Sequence, residues 1–195
     1  MKALALLPLL ALTGCAVTLP FNNRLSYEVV STAKALNGTQ AGPIQLIWEP
    51  SSFPGRIDTQ GASGFVGVAS QTRIPTGVAI ASRVNEGLDM AMGVAPGAPR
   101  KLTIKIIKAK STFQYSAGIF NVTPVIDTGG CTFEAAFSCG DIAWTGSYKA
   151  SSKDKAIGGS SSTGVLEKVW DDIAMQVCTD VVSHLAPAGA APASR

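Results

Sequence analysis

Two helical stripes enclose a run of alternating strands, and that order restricts the chain to a few folds. Residues 78–92 place Ile80, Val84, Gly87, Leu88 and Ala91 on one side, with Arg83, Glu86 and Asp89 facing away. Residues 165–185 repeat the pattern with Leu166, Val169, Trp170, Ile173, Val177 and Val181. Between them, Leu102, Ile104 and Ile106 alternate with Thr103 and Lys105, the period of a half-buried strand. The phase breaks at Ile106-Ile107, where a bulge would account for Lys108 and Lys110. Residues 119–126 and 142–150 read as further strands, Asp127-Thr128-Gly129-Gly130 as a turn, and residues 44–48 as the first strand. The expected fold is α+β: a two-layer sandwich of four to five antiparallel strands with two amphipathic helices on one face.

The N-terminus carries a different message. Met1-Lys2 is followed by an apolar run to Ala11 and by Leu12-Thr13-Gly14-Cys15. A positive start, a short apolar core and a small-residue cleavage site form an export signal. The run is too short to cross a bilayer, which takes roughly 20 apolar residues. Leu12-Thr13-Gly14-Cys15 resembles the lipobox of bacterial lipoproteins. The resemblance implies cleavage before Cys15 and acylation of its thiol and new amine. Ala16, where enterobacterial lipoproteins retained in the inner membrane carry aspartate, implies an outer-membrane location facing the periplasm.

The expected organisation is then a signal peptide at 1–14, a lipidated N-terminus and tether at 15–43, a single domain at 44–186 and a disordered tail at 187–195. Removal of the signal leaves 181 residues, enough for a proper core without metals or many disulfides. Residues 51–77, rich in Gly and Pro, read as a long loop with a weak strand at 65–68. The net charge of +3 includes Lys2 and is too small to imply a nucleic-acid partner.

From Ile44 onward the element order, joined to the lipobox, resembles small envelope lipoproteins such as the YajG family and transport-accessory lipoproteins. The shared layout is a lysine-spaced strand at 102–107, a meander, a Tyr148-containing strand and a closing helix. That likeness implies a binding or assembly accessory, engaging an envelope protein, lipopolysaccharide or cell-wall polymer, rather than an enzyme.

The chemistry-bearing residues point the same way. His184 is the sole histidine, and its position aligns with the apolar stripe of the last helix, where a structural role is expected. No cluster has metal-ligand spacing, and no cofactor motif is present. Ser31-Lys34 and Ser152-Lys155 match Ser-x-x-Lys without the surrounding motifs that chemistry needs. A small periplasmic hydrolase with an unfamiliar arrangement is the alternative. Arg100, Lys101, Lys105, Lys108 and Lys110 form the densest basic cluster, either a lysine-protected sheet edge or a shallow site for an anionic ligand. Cys131, Cys139 and Cys178 remain for an oxidising compartment. A Cys131–Cys139 bridge is expected to contribute roughly 2.5 kcal/mol by closing a short loop. Pairing of Cys178 with either, or no bridge, are the alternatives. Residues 131–137 must fold back if the two are to meet.

Overall fold

The computed structural model describes residues 16–18, 21–39, 42–53, 58–61, 71–114, 125–156 and 162–186. In chain order the elements are β1 (Ala16–Thr18), α1 (Tyr27–Ala35), β2 (Ile44–Trp48), β3 (Asp58–Gly61), β4 (Gln71–Ile74) and α2 (Thr76–Met92). They are followed by β5 (Arg100–Gln114), β6 (Val125–Cys139), β7 (Ile142–Ala156) and α3 (Ser162–Leu185). Single 3-10 turns occupy Leu36–Thr39 and Pro50–Ser52.

The main sheet has the order β2-β5-β6-β7. β5, β6 and β7 form an antiparallel meander, and β2 lies parallel to β5, reached through the α2 crossover. The fold is therefore α+β with helices on one face of the sheet, as expected, but the sheet is mixed rather than antiparallel. A second sheet, β1-β4-β3, occupies the segments read as tether and loop. The strand expected at 65–68 and the first residues of the strand at 119–126 lie outside the described residues.

Side-chain period sets the inner face. Leu102, Ile104 and Ile106 point inward; the register shifts between Ile106 and Lys108, leaving Ile107 55% exposed; Ala109, Ser111 and Phe113 then resume the inner row. On β6 the inner row is Cys131, Phe133, Ala135, Phe137 and Cys139. The expected turn at 127–130 instead lies within β6, paired with β7 throughout and with β5 from Thr128 onward. Its glycines answer a packing demand: a Cβ on Gly129 would lie 2.7 Å from Val165 Cγ1 of α3. The hairpin turns later, at Gly140-Asp141, where Gly140 takes a φ of +59° between the paired Cys139 and Ile142.

The helix layer departs from its helical-wheel reading at one residue. Arg83 does not face solvent; it is 1% exposed, on the α2 side turned to α3. Its Nε donates to Asp171 Oδ1 at 2.8 Å and its guanidinium to the Ala79 carbonyl at 3.2 Å. The guanidinium also stands 5.4 Å from the centre of the Trp170 ring. Trp170 Nε1 donates to Ser111 Oγ at 2.9 Å, which also takes the Thr76 hydroxyl at 2.8 Å. Gly87 lets α2 approach α3 rather than the sheet: a Cβ there would lie 2.7 Å from Cys178 Sγ.

The tether expected over 15–43 is in large part packed. Three carboxylates receive backbone N–H groups of the segment before α1. Asn22 donates to Glu167 at 2.7 Å, Leu25 to Glu86 at 2.6 Å and Ser26 to Asp171 at 3.3 Å. Leu25 and Ala33 are buried, and Phe21 meets Trp170 edge-on at 5.9 Å. Residues 21–36 thus belong to the domain.

Removing one partner of the buried ion pair strands the other charge. Asp171→Ala is expected to cost about 3–5 kcal/mol, while Arg83→Met combined with Asp171→Leu recovers most of that loss. Urea denaturation of the two variants checks this. Gly129→Ala is expected to cost about 1–3 kcal/mol by forcing α3 off the sheet, with Val165→Ala restoring part of it.

Candidate functional site

β5, β6 and β7 bury one face under the helices and leave the other open. On the open face β5 presents Lys101, Lys105, Lys108 and Lys110, and β7 presents Lys149 and Lys153. Register brings the columns together: Lys110 and Lys149 both pair across Thr132. The strand between them carries the small residues Thr128, Gly130, Thr132, Ala136 and Ser138 outward, with Glu134 the one carboxylate. Lys108 pairs with Glu134 and Lys105 with Glu49, each at 3.6 Å and with both side chains at least a third exposed. Such exposed pairs contribute little. Lys101 and Lys110 make no ion pair among the described residues.

Arg100 does not join this face. It is half-buried, and its guanidinium donates to the Leu185 carbonyl at 2.9 Å, capping the C-terminus of α3. Sequence spacing identified the β5 lysines. It missed Lys149 and Lys153, which only the strand register places beside them.

A second polar cluster lies where α3 crosses β7. Asp180 Oδ2 accepts from Trp144 Nε1 at 2.8 Å and from the Tyr148 hydroxyl at 2.6 Å. His184 is not on the core stripe as expected. It stacks on Trp144 at 4.3 Å, and its Nδ1 lies 2.9 Å from the Asp180 carbonyl, so that nitrogen carries a hydrogen. A shallow groove of about 640 Å³ runs alongside, lined by Tyr148, Lys149, Asp172, Met175, Gln176 and Asp180 among others. Burial and then the Asp180 hydrogen bond raise the Tyr148 pKa; burial and then Asp171 raise that of Asp172.

Tyr148 is held protonated and spends its hydrogen on Asp180, and the Ser183 hydroxyl is spent on the Asp180 carbonyl at 2.7 Å. Among the described residues no hydroxyl bonds to His184. Ser31 and Lys34 are exposed on α1, and the other Ser-x-x-Lys match begins at Ser152 on β7. Among the described residues no three His, Cys, Asp or Glu side chains group to hold a metal, and no helix is long and apolar enough to cross a membrane.

The cysteine pairing needs correction. Cys131 and Cys139 lie on the inner row of one unbroken strand, and no disulfide joins them. Eight residues of extended chain separate them by about 26 Å, against the roughly 7 Å a bridge tolerates. Cys178, expected half-buried on the flank of α3, is fully buried against α2, its Sγ 3.8 Å from the Val84 carbonyl. Cys15 lies outside the described residues.

No family model matches the chain, and no curated protein matches it. Among solved structures it is similar to a minor lipoprotein from Acinetobacter baumannii, at 9% identity and a TM-score of 0.43 over 75% of this chain and 95% of that one. It is also similar to protein XCC0632 from Xanthomonas campestris, of the DUF330 family, at 12% identity and 0.36 over 87% and 93%. The rare lipoprotein B from Shewanella oneidensis follows at 9% and 0.38 over 73% and 92%. Superpositions this loose carry no information about activity.

Burial pushes the Cys178 thiol from its ordinary 9.0 up to about 12. The folded protein therefore holds this proton more tightly than the unfolded chain. The resulting stability is complete below pH 9 and is lost as pH rises through 12. At neutral pH, native Cys178 is expected to alkylate about a thousandfold more slowly than in urea, read by peptide mapping.

Proposed function

We propose that the chain is an exported lipoprotein, held in the outer membrane by acyl chains on Cys15 and facing the periplasm. It works there as a non-catalytic binding or assembly accessory for an anionic envelope partner. The observation that supports this most directly is the segregation of charge on the sheet. Among the described residues six lysines line the open face with two carboxylates, Glu134 and Glu49, whereas the three helices carry seven carboxylates against three basic residues. A solubilising surface intersperses both signs; a face of one sign attracts an oppositely charged partner and gives the association a salt dependence.

Two variants test the two halves of the reading. Cys15→Ser removes the acylated thiol, and the variant is expected to leave the membrane fraction; unchanged fractionation would refute the anchor. Lys105→Glu with Lys108→Glu is expected to weaken crosslinked capture of the partner in intact cells, with a smaller dependence on salt than the parent shows. Capture indifferent to both would place the interface elsewhere.

A further inference from the structure

The partner of the lysine face follows from where the chain attaches to lipid. We propose that the open face of the main sheet docks on an anionic bilayer surface, the same one that holds the acyl chains of Cys15. The inference rests on the lipid anchor proposed above and adds the orientation of the domain upon it.

The leash is short. β1 begins at Ala16, one peptide bond after Cys15, and pairs in parallel with β4 from Ala16 opposite Gln71 to Thr18 opposite Arg73. β4 continues through Pro75 directly into α2, whose first residue, Thr76, hydrogen-bonds Ser111 of β5 at 2.8 Å. Ser111 adjoins Lys110 in β5 but faces the helices, so this route fixes how far the anchor lies from the sheet and not which face it reaches. Five residues of chain from Gln71 to Thr76 span at most about 18 Å, so the lipidated residue is held within a few tens of ångströms of the lysine face. With β1 paired from its first residue, no long flexible spacer separates anchor from domain.

The face itself suits a lipid surface. Its lysines stand in two columns about 10 Å apart, on either side of a floor whose side chains are small apart from Glu134; Lys105 and Lys108 hold only exposed, weak ion pairs, so the columns can reach a planar array of phosphates. Ile107, extruded by the bulge, and Ile47, paired opposite Thr103, expose apolar side chains among the lysines. Basic residues around a few exposed aliphatic ones are the composition of interfacial binding, and acyl chains combined with a polybasic patch hold more firmly than either does alone. A second copy is a poor occupant, since like faces would bring lysine columns together. The helix side carries the opposite sign, with seven carboxylates against three basic residues on α1, α2 and α3, so an anionic surface is repelled there.

The test uses the mature lipidated protein on vesicles of phosphatidylcholine, alone or mixed with phosphatidylglycerol. Flotation reports the anchor. A water-soluble amine-acylating reagent, read residue by residue by mass spectrometry, reports the docking. On the mixed vesicles Lys105, Lys110, Lys149 and Lys153 are expected to label at least about fivefold more slowly than on phosphatidylcholine alone, while Lys34 and Lys168 on the helices are unchanged. Lys105→Glu with Lys149→Glu is expected to float as before but to lose the protection of Lys110 and Lys153. Equal labelling on both vesicles, with flotation intact, would overturn the docking and leave the anchor standing. Equal protection on both would also overturn it, by pointing to a second copy or a protein. Failure to float would overturn the anchor, and the docking with it.

Discussion

The helix layer depends on the pair formed by Arg83 and Asp171. Each side chain is at most 3% exposed, so both charges are taken from water, at a cost of several kcal/mol apiece that only good geometry offsets. The geometry is supplied from several elements at once. α3 gives the carboxylate and the face of Trp170; α2 gives the Ala79 carbonyl; the chain before α1 gives the Ser26 N–H. Trp170 in turn is fixed to β5 through Ser111. A small slide of any of these would strand a buried charge. The pair therefore specifies how the helices and the N-terminal segment meet, whatever its net contribution to stability.

That arrangement explains what could and could not be read from the residues in order. Leu102, Ile104 and Ile106 announced β5, and the doubled isoleucine announced its bulge, because burial on one face imposes a period of two on whatever occupies it. The stripes of α2 and α3 were visible for the same kind of reason. Arg83 was misread since a helical wheel assigns a charge to the outside by default, and its partner lies 88 positions away. Gly129 and Gly130 look like a turn in isolation. Gly129 answers to Val165 of α3 and Gly130 to Thr112 of β5, neither of them local. The segment before α1 is recognised through its backbone, so its side chains carried little trace of the three carboxylates that hold it.

The candidate site was legible by halves. A strand's own alternation sorts Lys105 and Lys110 to the outside, and this much required no tertiary information. Arg100, next to them in sequence, belongs to the other layer because it begins the strand at the end where α3 finishes. Lys149 and Lys153 sit some forty residues from the β5 lysines, and only the pairing of β6 with both neighbours decides that they share a face. Cys131 and Cys139 failed for the converse reason. Proximity in sequence suggested a loop, whereas an unbroken strand makes eight residues a long distance.

The parallel pairing of β2 with β5 is what leaves the lysine face uncovered. A parallel neighbour must be reached by a crossover, and α2 supplies it on the same side of the sheet that α3 packs against. Both helices being spent on one face, the short meander connection at Gly140 has no helix to offer the other. An uncovered face must be polar to stay in water, and serine and threonine would suffice for that. Lysine in two columns goes further, since like charges at such spacing repel and oppose folding slightly. Anionic groups brought against the face would relieve that repulsion. The same lysines then guard the long β7 edge against pairing with another chain for as long as the domain stands free.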